Sequence, residues 1–149
     1  MGVYLFHHRR APFIKVGSYV CRGKRVLDNP WYRIANRGYH SIKHPPELSG
    51  AALDADAFEL LAWYPNLQRK HEILIHKHFG DRIGEFHAAF HKKELIAYCE
   101  ELGGVAEEVS NEAKVAAWKW AARRCHGTNT RQQQRVKASI SAGSPTTAC

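Results

Sequence analysis

The chain has 149 residues, 44% of them hydrophobic, with 22 Lys and Arg against 14 Asp and Glu and a formal net charge of +8. This length and apolar content suit one domain with a core, and exclude a disordered tail protein, a fibre or a multi-domain machine for most of the chain. No apolar run approaches the roughly 18 residues of a membrane span, and no apolar signal segment follows the first charges, so a soluble intracellular protein is expected, cytoplasmic or, in a eukaryote, nuclear.

Residues 3–6 and 13–16 are short β-prone runs. The polar stretch between them is long enough for a hairpin loop, so the two strands are expected to pair antiparallel with Tyr4 and Lys15 within reach of one sheet face. Residues 18–28 read as a basic surface loop. Asn29-Pro30 then predicts a helix start, Asn as cap and Pro at the first helical position, with the helix running through Arg33 and Arg37 to a stop near Gly38. Residues 40–56 carry loop breakers, and residues 58–64 (FELLAWY) predict a third strand buried on both faces, with a short helix as the other reading of the pattern. Helices follow over 67–79, about 91–102 and roughly 110–124, the last capped by Ser110. From His126 onward the chain is polar and poor in large apolar groups, which predicts a flexible tail. The element order describes a small α/β sandwich around a three-stranded antiparallel sheet flanked by helices, with a C-terminal helix and a basic tail.

The charge is unevenly placed. Residues 1–50 hold nine basic and two acidic side chains, residues 51–104 hold six and nine, and residues 105–149 hold seven and three. Two basic regions around an acidic middle point to a polyanion, nucleic acid first, although the same charge serves simple solubility. The four cysteines stand too far apart for a metal or redox pair and read as reduced thiols.

Glu72 draws attention because its helical neighbours at three, four and seven residues on are Ile75, His76 and Phe79. A carboxylate at the edge of a buried face is costly unless it is paired, hydrogen-bonded or bound to a metal. Pairing with Arg69 or Lys77 is the plain structural reading. Zinc is a poor fit: at about 100° per residue, His71 and His76 diverge by roughly 140° on a straight helix. His87 and His91 have helical spacing for one metal but no evident third ligand.

Gly2-Val3-Tyr4, Lys15-Val16-Gly17, Arg33 on the next helix, Glu72 within Glu72-Ile-Leu-Ile-His76-Lys-His-Phe79, and Gly84-Glu85-Phe86 stand in the order found in GIY-YIG nucleases. Over about residues 1–100 the chain resembles that family, its phage-type branch most, with Lys15 where many members carry Tyr. The resemblance implies a GIY-YIG-like nuclease domain over residues 1–104, a basic helical extension and tail over 105–149, and metal-assisted cleavage of a DNA phosphodiester. By the same resemblance, Glu72 would hold one divalent ion, Mg²⁺ or Mn²⁺, and Tyr4 would orient or deprotonate the attacking water. Lys15 would hold the phosphate or, with its pKa lowered, help proton transfer, and Arg33 would balance charge on phosphorus. Arg25 and Arg37 are rivals for that arginine and candidate DNA contacts, and His40 and His76 are candidate auxiliary proton carriers.

Lys119, Arg123 and Arg124, near Trp118 and Trp120, are further candidate DNA contacts, while the tryptophans serve equally to pack the last helix. The expectation is therefore a DNA endonuclease acting as a monomer or weak dimer. An inactive nucleic-acid-binding module on the same fold is the alternative.

Overall fold

A computed structural model describes residues 1–20, 29–35, 43–48 and 55–126. Strand β1 (Gly2–His8) pairs antiparallel with β2 (Phe13–Tyr19), placing Tyr4 opposite Gly17 and Phe6 opposite Lys15. Helix α1 (Trp31–Ala35) begins as the sequence predicts: Asn29 Oδ1 accepts the Trp31 amide at 3.0 Å. Strand β3 (Phe58–Tyr64) pairs with the outer side of β1 and leads into α2 (Arg69–His78). Then come β4 (Arg82–Ile83), β5 (Phe86–Ala88), α3 (Lys92–Glu101) and α4 (Asn111–His126).

The fold is mixed α/β, but the sheet has five antiparallel strands in the order β3-β1-β2-β5-β4, not three. The difference is the β4–β5 hairpin, whose two-residue connection places Gly84 at φ +60. Glycine suits that turn because left-handed backbone costs it little, and a Cβ there would also lie 3.0 Å from the Lys43 carbonyl carbon. A second correction concerns residues 58–64. As an edge strand, β3 leaves Glu59 exposed and residues 60–62 half-buried, instead of hiding both faces.

Strand alternation divides the core in two. One face carries Tyr4, Phe6, Tyr19 and Phe86 against Trp31 and Tyr32 of α1 and Ala117 and Ala121 of α4. The other carries Val3, Leu5, Ile14 and Val16 against Ile75 of α2 and Leu95 and Cys99 of α3. Helix α4 starts where expected, with Ser110 Oγ accepting the Ala113 amide at 3.1 Å. Its tryptophans pack: Trp118 lies edge-on to Trp31 at 5.5 Å and Trp120 to Tyr32 at 5.1 Å. Among the described residues no helix is long and apolar enough to cross a membrane.

Candidate active site

The β1–β2 register puts the Tyr4 ring across Gly17, where an added Cβ would sit 2.7 Å from Tyr4 Cζ. Only glycine leaves that ring its place. Two residues back on the same face, Lys15 has no exposed surface, and its ammonium donates to Tyr4 Oη at 2.9 Å and pairs with the Glu85 carboxylate. Glu85 arrives through the β4–β5 turn, whose position is fixed by the Val16 amide donating to the Glu85 carbonyl at 2.8 Å.

An isolated buried ammonium would surrender its proton. Burial does pull Lys15 downward, but the charge interactions with Tyr4 and then Glu85, and hydrogen bonds to both, outweigh it and hold its pKa above the usual lysine value. These surroundings favour the charged form of Lys15. This direction runs against the lowered pKa that proton transfer by Lys15 would need and favours the other expected role, a charged donor.

Glu72 lies in the first turn of α2, where the helix dipole favours a carboxylate. Burial tends to raise its pKa, but hydrogen bonds from His76 and the Ser18 hydroxyl, with the charges of His76 and Arg69, prevail and hold it below the usual carboxylate range. Of the two basic neighbours in the plain sequence reading, Arg69 contributes this charge; the direct contacts are His76 and a serine on β2.

His76 Nε2 stands 3.5 Å from Glu72 Oε1, and His76 Nδ1 stands 2.8 Å from His87 Nε2 on β5. Both imidazoles are buried. Burial, then the neighbouring His76, Arg82 and His91, pushes His87 down to about 3, so it is neutral at physiological pH.

The structure thus brings Tyr4 together with Lys15, and Glu72 together with His76, and sets the two pairs on opposite faces of the sheet. They meet at one end of β2, on the consecutive residues Gly17 and Ser18. Arg33 is the one residue of α1 left half-exposed, in the layer covering the Tyr4 face. Among the described residues no hydrogen bond or ion pair joins its guanidinium to Tyr4, Lys15 or Glu72. Lys119 and Arg123 are exposed on α4. Arg25, Arg37, His40 and the side chain of Arg124 lie outside the described residues.

Three participants had no assigned role in the sequence reading. Glu85 sat inside a quoted motif, and a Gly-Glu pair between Ile83 and Phe86 is itself a hairpin signal that would have aimed it at β2. The spacing of His87 to His91 points only toward a metal pair, and Ser18 carries no signal.

A divalent ion fits part of this site. Mg²⁺ keeps several waters and needs only one or two carboxylates besides phosphate oxygens, and Glu72 is ionised with 12% of its side chain exposed. A site made wholly of protein ligands is a different matter: among the described residues no three His, Cys, Asp or Glu groups converge to hold an ion. A cleft of about 500 Å³ lies elsewhere, along β3 and the segment entering α4, and Trp31, Trp63 and Lys114 are among its walls.

No family model matches the chain, and neither a curated protein nor a solved structure matches it.

Proposed function

We propose that the chain is a divalent-metal-dependent DNA endonuclease of GIY-YIG type, with a fold of that kind enlarged by the β4–β5 hairpin. The supporting observation is the Tyr4–Lys15 contact: a buried ammonium, in surroundings that favour its charge, donates to a tyrosine oxygen laid over a glycine, on the two strands that carry the first two motifs.

In this reading Tyr4 acts as its phenolate: Oη orients the attacking water, takes up its proton and becomes the neutral phenol. Lys15, held as a cation, stabilises negative charge on that oxygen. Arg33 faces the non-bridging phosphate oxygens, where the guanidinium fork suits the charge that grows in the transition state. Glu72 would hold Mg²⁺ or Mn²⁺, which would supply charge neutralisation at the phosphate and a more acidic water. Exposed Lys119 and Arg123 on α4 bind backbone phosphates away from the cut.

One observation favours a second reading, an inactive DNA-binding module. Tyr4 keeps only 1% of its surface exposed, and Glu85 already neutralises Lys15. The test for both is incubation of supercoiled and branched DNA with and without Mg²⁺, using the native chain, Glu72→Ala and Tyr4→Phe. The endonuclease reading expects metal-dependent cutting that falls at least about 100-fold in both variants. Cutting that survives Glu72→Ala removes the metal role of Glu72. Binding without cutting by the native chain establishes the inactive module.

A further inference from the structure

The contact between His76 and His87 has an unusual shape. The ring planes are 1° from parallel, the facing nitrogens are 2.8 Å apart and the ring centres 5.1 Å apart. Stacked rings would bring their centres closer than this for such a short nitrogen contact. The three values together describe two coplanar imidazoles joined head to head by one in-plane N–H···N bond.

The chain of atoms runs from Glu72 Oε1 to His76 Nε2, through the His76 ring to Nδ1, and on to His87 Nε2. When each ring carries one proton, a single proton makes the central bond, so one ring donates and the other accepts. If His76 donated from Nδ1, its Nε2 lone pair would face a Glu72 carboxylate oxygen 3.5 Å away, and His87 Nδ1–H would be a buried donor with no partner. If His87 donates from Nε2, His76 carries its proton on Nε2, directed at Glu72. His87 Nδ1 is then a buried acceptor with no partner, and His76 Nε2 reaches Glu72 as a 3.5 Å contact. An unpaired buried acceptor is tolerated better than an unpaired donor combined with two lone pairs facing one another.

The backbone holds this arrangement in place. His87 pairs across the β4–β5 ladder with Arg82, whose Nε donates to the His76 carbonyl at 3.3 Å and whose guanidinium also reaches the Gly84 carbonyl. The same arginine therefore ties the end of α2 to the hairpin that supplies His87.

We propose that His87 is a positioning residue: its Nε2–H fixes the His76 proton on Nε2, and His76 in turn orients the Glu72 carboxylate. The tautomer stands on the geometry alone. Its consequence for cleavage rests on the endonuclease reading. Outer partners of this kind typically change metal affinity or activity by about 10–100-fold when removed.

The experiment reads the two parts separately. Long-range ¹H–¹⁵N spectra of the ¹⁵N-labelled full chain at neutral pH report which nitrogen of each histidine is protonated. The expected result is His76 protonated at Nε2 and bare at Nδ1, in the native chain and in His87→Gln, whose side-chain amide keeps a donor at the same reach. In His87→Phe the preference for Nε2 weakens and a measurable share of His76 carries its proton on Nδ1. Mg²⁺-dependent cleavage is then expected to fall about 10–100-fold in His87→Phe and to recover in His87→Gln. Native His76 protonated at Nδ1 overturns the proposal, and so does His87→Phe with an unchanged His76 spectrum. Native spectra as expected, with no cleavage by any form, retain the tautomer and remove only the endonuclease reading.

Discussion

The two faces of the sheet solve one problem in opposite ways. Each buries polar groups inside an apolar layer. On the aromatic face, the Lys15 ammonium stays charged by pairing with Glu85 and donating to Tyr4. On the aliphatic face, His87 stays neutral and shares one hydrogen bond with His76, while the charge sits at the rim on Glu72. A buried charge needs a partner charge, whereas a buried imidazole can shed its proton and keep its hydrogen bond. The first face therefore depends on electrostatic pairing and the second on tautomer and geometry.

The sharpest break should come from separating Lys15 and Glu85. Glu85→Gln leaves the ammonium uncompensated, and urea unfolding is expected to show a loss of about 3 kcal/mol, the low end for a broken buried pair because Glu85 keeps 25% of its side chain exposed. Adding Lys15→Met should restore most of it. If the double variant is no more stable than the single one, the pairing account of this face fails.

Next in size is Gly17→Ala. The new methyl group meets the Tyr4 ring, so a loss of about 2 kcal/mol is expected, together with a change in near-ultraviolet circular dichroism. An unperturbed spectrum would mean that the ring does not rest on Gly17.

The aliphatic face should show itself through pH. His87 titrates near 6.5 when unfolded and near 3 when folded, so between those values the unfolded chain binds the extra proton. Stability supported by neutral His87 is complete above about pH 6.5 and is lost as pH falls toward 3, with a slope of at most about 1.4 kcal/mol per pH unit. His87→Phe should flatten that slope, as read from urea unfolding at a series of pH values. The same slope in both proteins would place the acid sensitivity elsewhere.

Smaller effects concern the surface and one thiol. Lys119→Ala and Arg123→Ala should each reduce the salt slope of DNA binding by about 1 if they touch phosphates, measured by fluorescence anisotropy. Buried Cys99, pushed up to about 12 by burial and then Glu100, should resist iodoacetamide until the chain unfolds. Labelling of Cys99 in native buffer would show that α3 opens from the sheet.

How much of this was legible in the sequence depended on the range of the signal. The β1–β2 pair follows from alternation and loop length, and with it the proximity of Tyr4 and Lys15. The α1 and α4 starts follow from Asn29 and Ser110, whose caps are local chemistry. Strands β4 and β5 have two and three residues, too few for a two-residue period to register, and so the fourth and fifth strands were missed. Glu72 was singled out from helical spacing, but its serine partner lies 54 positions earlier, and no local pattern encodes such a contact. His87 shows the same limit. Its spacing to His91 suggested a helix face, while the chain there is a strand that turns it toward His76.

The position of β3 at the rim of the sheet has a consequence for crowding. An outer strand offers unpaired amides and carbonyls to any passing chain, and a long flat one invites strand-to-strand aggregation. Here the outer side is interrupted. The Glu107 amide takes the Trp63 carbonyl at 2.8 Å, the register slips between Leu5 and Phe6 so that the ladder bulges, and Glu59 sets a charge in the approach. At the other rim β4 is only two residues long. Neither border gives a neighbour a long straight ladder to extend, so the sheet closes its own edges without having to curl into a barrel.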